Sequence, residues 1–209
     1  MNVFKTINKN AVSQIEEKKS KFIANVFYVE NTKTAEDILK EVKKKYYDAR
    51  HNCYAYRINE NGILKEKSSD DGEPSGTAGM PILNILQKNE LLNVLVVVTR
   101  YFGGILLGTG GLVRAYSDAT IKGIEDAEII VHEMGEEIEV SIQYKDLEML
   151  KYYCNKNKIE IANINYAENI VCILKVNDIE KTKLLSKKQD LINILNYAVL
   201  KKVYIKKKQ

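Results

Sequence analysis

Glycine and proline are spread so unevenly in this chain that they fix where its turns and helix starts must lie. Between Ser68 and Asp118 stand eight of the 11 glycines and both prolines. They fall in two clusters, Gly72 to Gly79 and Gly103 to Gly111, on either side of one apolar run, Val94 to Val98. Five branched aliphatic residues in a row leave no polar face for water, so the run reads as a buried strand. Each cluster leads into a helix. Pro81 suits a first helical position, where its missing N–H costs nothing. After the second cluster, Leu112, Ala115, Tyr116, Ala119, Gly123, Ile124 and Ala127 recur at the spacing of one helical face.

Two glycine loops that feed helix starts imply a concave surface of free backbone N–H groups, and such a surface favours anions. The candidate positions are Gly76, Thr77 and Gly79 in the first loop and Gly103, Gly104, Gly108, Gly110 and Gly111 in the second. The competing reading is that the glycines only permit tight turns and close packing. Polar residues in the stretch, Asp70, Asp71, Glu73 and Ser75 among them, need partners if buried. Arginine is the more selective clue. The chain uses lysine almost everywhere, and its only arginines are Arg50, Arg57, Arg100 and Arg114. Where lysine is the default, arginine indicates a need for the planar, bidentate fork. Arg100 follows the central strand and Arg114 sits in the first turns of the next helix, so both could face one concavity. There they would bind phosphate, or pair with Asp70, Asp71 or Glu73 and tie the loops together. Tyr101, Phe102 and Tyr116 either stack on bases or belong to the core or an interface.

The remaining pattern mixes helices and strands. A strand is expected over 21–29. Thr34 with Asp37 makes a capping box for the helix that follows. Further strands fall at 51–58 and 63–67, joined by the hairpin turn Asn61-Gly62. A last strand of the first half covers 127–134. From Glu136 onward there is no glycine or proline. Strands are expected there at 138–143, 159–166, 170–176 and 198–205, with helices at 146–157 and 179–190. That βαββαβ order is the ferredoxin-like pattern. A domain boundary is therefore placed near residue 135, giving domains 1–135 and 136–209.

Three cysteines without a CxxC spacing favour a reduced, cytoplasmic compartment. No window approaches the 18 apolar residues of a membrane span, so no membrane partner is expected. The net charge of +4 is a weak basic bias, although the last eleven residues carry five lysines and no acid. A P-loop is excluded because Gly110-Gly111 is followed by neither Lys nor Ser/Thr, and Val113 spoils a dinucleotide fingerprint. The candidates for a metal are Asp70, Asp71, Glu73, His51 and Cys53; His51 and Cys53 share one strand face, yet two ligands are not a site without others brought in by folding. A nucleophile would be Ser75 or Thr77 with His51 as base, an arrangement nothing else supports. No catalytic residue, cofactor or metal is assigned.

His51-x-Cys53, SDDGEPSGTAGMPIL (Ser69 to Leu83) and VVVTRYFGGILLGTGGLVRAYSDA (Val96 to Ala119) resemble the signature blocks of the YigZ/IMPACT family, a likeness that covers roughly residues 20 to 130. It implies an α+β chain: a ribosomal protein S5 domain 2-like first domain, then a ferredoxin-like domain similar to the last domain of elongation factor G. What the resemblance implies for function is a non-enzymatic, translation-associated factor that binds RNA or a ribosomal surface. Two other readings stand beside it. One is an enzyme acting on a small phosphorylated or acyl substrate. The other is a module docking a protein partner through exposed Tyr101, Phe102, Ile105 and Leu106.

Overall fold

The central apolar run becomes the middle strand of a five-stranded antiparallel sheet. The computed structural model describes residues 3–186 and 192–207. Its strands β1 (Val3–Ile7), β2 (Ala11–Glu17), β3 (Ser20–Tyr28), β4 (His51–Glu60), β5 (Ile63–Ser69) and β6 (Val94–Tyr101) precede the long β7 (Ile129–Ile142). The first sheet has the order β2-β3-β6-β4-β5, with β6 antiparallel to both neighbours. Helices α1 (Thr32–Lys45), α2 (Gly79–Lys88) and α3 (Gly108–Ala127) cover it on both faces.

That double cover explains why β6 is apolar without alternation. One face buries Phe22, Ala24, Cys53, Val96 and Val98 against Ile82, Leu86, Leu112 and Tyr116 of α2 and α3. The opposite face buries Tyr54, Ile58, Leu95 and Val97 against Ala35 and Val42 of α1. Each fully buried branched or aromatic side chain contributes about 1.5–3 kcal/mol over leaving it in water. Every α3 position expected on the buried stripe is buried.

The second sheet is built on β7, β8 (Glu160–Tyr166), β9 (Ile170–Val176) and β10 (Ile194–Lys206), in the order β10-β7-β9-β8, with β1 also on β7. Helices α4 (Leu147–Lys156) and α5 (Asp178–Leu185) bury one face, including Ile138, Val140, Ile142, Leu150, Leu174 and Leu184. The protein is thus α+β with two antiparallel sheets. Phe4–Val131 form one compact unit and the residues from His132 onward a second.

Several boundaries differ from expectation. Two N-terminal strands, β1 and β2, lie where none was expected. Asn31, not Thr34, caps α1, its side-chain oxygen accepting the Thr34 N–H at 2.8 Å. The strands expected at 127–134 and 138–143 are one continuous β7 that runs through the boundary set at residue 135. The expected C-terminal part of the 179–190 helix lies outside the described residues from 187 on, as does Lys208 of the basic tail. No helix among the described residues is long and apolar enough to cross a membrane.

Candidate functional site

The site grows from one row of the first sheet. Across it the register sets His51 of β4 beside Arg100 of β6, and Arg100 beside Phe22 of β3. Strand alternation sends Cys53 to the same face as His51. Tyr116 of α3 closes over this row, its ring 5.1 Å from Phe22 in an edge-to-face contact.

The turn after β5 delivers three carboxylates to this end of the sheet. Asp70 turns back into its own loop: its oxygens accept the N–H groups of Gly76 at 2.9 Å, Ala78 at 2.9 Å and Gly79 at 2.8 Å. Helix α2 has no side-chain cap of its own, so Asp70 caps it from the turn before. Burial raises the Asp70 pKa, but the three N–H groups from Gly76, Gly79 and Ala78 outweigh it and hold the carboxyl below its ordinary value. Asp71 accepts from the Asn52 N–H at 2.7 Å and from the Lys43 ammonium at 2.6 Å.

Glu73 is the buried hub. Its Oε1 accepts from Arg100 Nη1 at 2.7 Å and from the Tyr116 hydroxyl at 2.9 Å. The Cys53 Sγ lies 2.9 Å from the Asp70 carbonyl and 3.3 Å from the Tyr116 oxygen, and its single proton is shared between these two acceptors. Burial pushes the Cys53 pKa up to about 12, against a smaller lowering from Tyr116. It pushes the Tyr116 hydroxyl up as well, helped by Cys53 and Glu73. His51 Nδ1 lies 2.9 Å from the Asp71 carbonyl, which only accepts, so Nδ1 carries the proton there.

In front of this row opens a cleft of about 510 Å³ lined by Arg50, His51, Asp71, Glu73, Arg100 and Phe102, with Gly72, Pro74 and Leu106 completing its wall. A second hollow of about 330 Å³ is lined by Gln14, Lys19, Lys21, Ile23, Tyr101 and Phe102. Phe102 is 52% exposed and belongs to both.

The structure redistributes the roles expected from the sequence. Gly76 and Gly79 spend their N–H groups on Asp70, and the Thr77 N–H on the Pro74 carbonyl, so the first loop offers these amides to no outside anion. Gly103 donates to Ser20 Oγ at 3.1 Å. Gly104, Gly108, Thr109 and Gly110 are exposed, and Gly111 is half-buried beside them. Helix α3 begins there with neither a side-chain cap nor an acidic residue in its first turn. Arg100 pairs with Glu73, the tie between loops that stood as the alternative to phosphate binding. Arg114 is exposed and does not line the cleft; Arg50 is its second arginine. Tyr116 is fully buried, and the Tyr101 hydroxyl donates to Asp48 at 2.7 Å, which with burial raises its pKa to about 12. Ser75 is exposed. No group of three or more His, Cys, Asp or Glu among the described residues is placed to hold a metal. The sequence signal that could have placed Arg50 here was the scarcity of arginine, whereas Phe102 already stood among the candidates for base stacking.

The model of the Impact N-terminal domain matches residues 18–124. IMPACT family member YvyE of Bacillus subtilis is 36% identical over 165 residues, 79% of this chain and 76% of that protein. An IMPACT family member of Haemophilus influenzae is 36% identical over 174 residues, 82% of this chain and 84% of the other. Among solved structures, a crystal structure of a hypothetical protein matches with a TM-score of 0.62 at 27% identity, covering 93% of this chain and 97% of that one.

Proposed function

This chain belongs to the IMPACT family, and from that premise we propose that it is a non-enzymatic, translation-associated factor whose first unit binds RNA, alone or as part of a ribosomal surface. The observation that carries the reading is Phe102, an exposed aromatic ring shared by two hollows. Arg50 and Arg100 stand on one side of it, Lys19 and Lys21 on the other. The exposed cations Arg50, Lys19 and Lys21 follow a phosphate backbone, while an exposed aromatic ring stacks on bases whatever their sequence. The uncapped start of α3, with exposed Gly108, Thr109 and Gly110, adds N–H donors for a phosphate.

Within this reading the first unit is S5 domain 2-like and the second ferredoxin-like. The strand order β10-β7-β9-β8 and the βαββαβ succession support the second assignment. Cys53 is fully buried and does not line the cleft, and burial pushes its thiol up to about 12, so it offers no thiolate to a molecule bound there.

The test is fluorescence anisotropy of a labelled single-stranded oligoribonucleotide. Affinity should fall steeply between about 50 and 200 mM salt. Phe102→Ala should weaken binding roughly tenfold, as loss of one stacked base would. Binding that ignores salt, or that survives both Phe102→Ala and the pair Lys19→Ala/Lys21→Ala, defeats the proposal. In that case the exposed side chains of Phe102, Ile105 and Leu106 favour the second reading, a protein docking surface.

A further inference from the structure

We propose that the cleft holding Arg50, His51 and Arg100 is a seat for one phosphomonoester group, with the 5′ end of an RNA strand as its source. The inference rests on the RNA-binding reading only for that source; the seat is argued from the cleft itself.

Arg100 is the first reason. Its side chain is 8% exposed and is held with the guanidinium carbon 5.5 Å from the centre of the Phe22 ring and 5.6 Å from that of Phe102. It gives Nη1 to Glu73, and its Nε is buried with no partner. A guanidinium carries five N–H donors, and burying them unmet is costly. Glu73 meets Arg100 through one oxygen, Oε1, which also takes the Tyr116 hydroxyl. Arg100 lines the cleft, and a group with several acceptor oxygens there would meet guanidinium N–H groups beyond the one given to Glu73.

His51 is the second. With Nδ1 fixed on the Asp71 carbonyl, the other ring nitrogen is left over. It stands 4.0 Å from Glu73 Oε1, too far for a hydrogen bond. Facing a monoester, that nitrogen accepts from P–O–H when neutral or donates to P–O⁻ when protonated. Charge is the third reason. Asp71 is matched by Lys43 and Glu73 by Arg100, so the exposed Arg50 at the cleft adds one positive charge without an acid to cancel it.

A monoester fits better than an internal diester. It offers three terminal oxygens to a fork and ends where it binds, whereas a diester must leave the cleft on both sides. The volume of about 510 Å³ takes a phosphate with its first nucleoside. Phe102 and Leu106 form the apolar wall against which that nucleoside lies.

The experiment compares one oligoribonucleotide carrying a 5′-phosphate with the same strand ending in a 5′-hydroxyl, alongside phosphorus NMR of inorganic phosphate titrated with the full chain. The phosphorylated strand should bind roughly tenfold tighter, the order expected of one charge-assisted contact. Arg50→Gln, at an exposed position, should bring that ratio to about one and remove the broadening of the inorganic phosphate signal. Phe102→Ala should weaken both strands and keep the ratio. Equal affinity for the two strands, with inorganic phosphate unaffected by the protein, overturns the seat and leaves the RNA reading standing. Inorganic phosphate bound through Arg50 while neither strand binds supports the seat, and overturns RNA as its source in favour of a small phosphorylated molecule. Binding of none of the three overturns both.

Discussion

The two glycine loops of the first unit each run into a helix, and they treat the amides at that helix start in opposite ways. At α2 the loop carries its own anion: Asp70 folds back and takes three N–H groups. At α3 no side chain caps the first turn and Gly108 to Gly110 lie open to solvent. The first loop is therefore a finished structural joint, and the second keeps donors in hand. A Gly-rich approach to a helix is thus only half of an anion site. The other half is whether the chain has already supplied the anion.

The contrast can be broken most sharply at Gly79. A Cβ there would lie 2.6 to 2.8 Å from the Ser69 backbone, so Gly79→Ala should cost about 3 kcal/mol in urea unfolding. A neutral result means that α2 is not pinned to the end of β5. Asp70→Ala comes next. Loss of the shared cap should cost about 2 kcal/mol while leaving the α3 end untouched, and hydrogen exchange at Ala78 and Gly79 should speed up.

Acid sharpens the comparison further. The folded Asp70 pKa lies below its unfolded value, so its stabilisation is complete above about pH 3.8 and fades as pH falls through the lower folded value. Wild type should therefore lose more stability than Asp70→Asn between neutral pH and about pH 3; equal losses would remove Asp70 from that role. The smallest effect belongs to the open loop. A Cβ at Gly110 meets nothing within 4 Å, and Gly110→Ala should stabilise by up to about 1 kcal/mol through helix propensity. A loss there would show that the α3 start is as tightly fitted as the α2 start.

Legibility in the sequence follows the same division. Val94 to Val98 and the α3 stripe could be read because the periodicity of burial is local, and both are buried as expected. The strand at 170–176 was legible to the residue for the same reason. Strands β1 and β2 were not, since only part of each is buried and their Lys, Gln and Glu content blurs the alternation. A domain boundary was expected near Gly135. Gly135 instead lies inside β7, where a Cβ would sit 2.7 Å from the Val176 carbonyl, so the glycine marks close contact across the sheet. In the site, the cluster of His51, Cys53, Asp70, Asp71, Glu73 and Arg100 was foreseeable as a set of residues. Which of them neutralise one another was not.

The sequence by itself determined where β6, β9 and α3 form and which faces they bury, because those follow from spacing along a few turns of chain. Only the tertiary structure decided how the polar groups are spent. Asp70 closes on Gly79, Glu73 on Arg100 across 27 positions and on Tyr116 across 43, and Phe102 stays in solvent between two sets of cations. Such partnerships depend on distances of a few ångströms between segments far apart in the chain, and a hydrogen bond or ion pair has no strength until folding sets those distances.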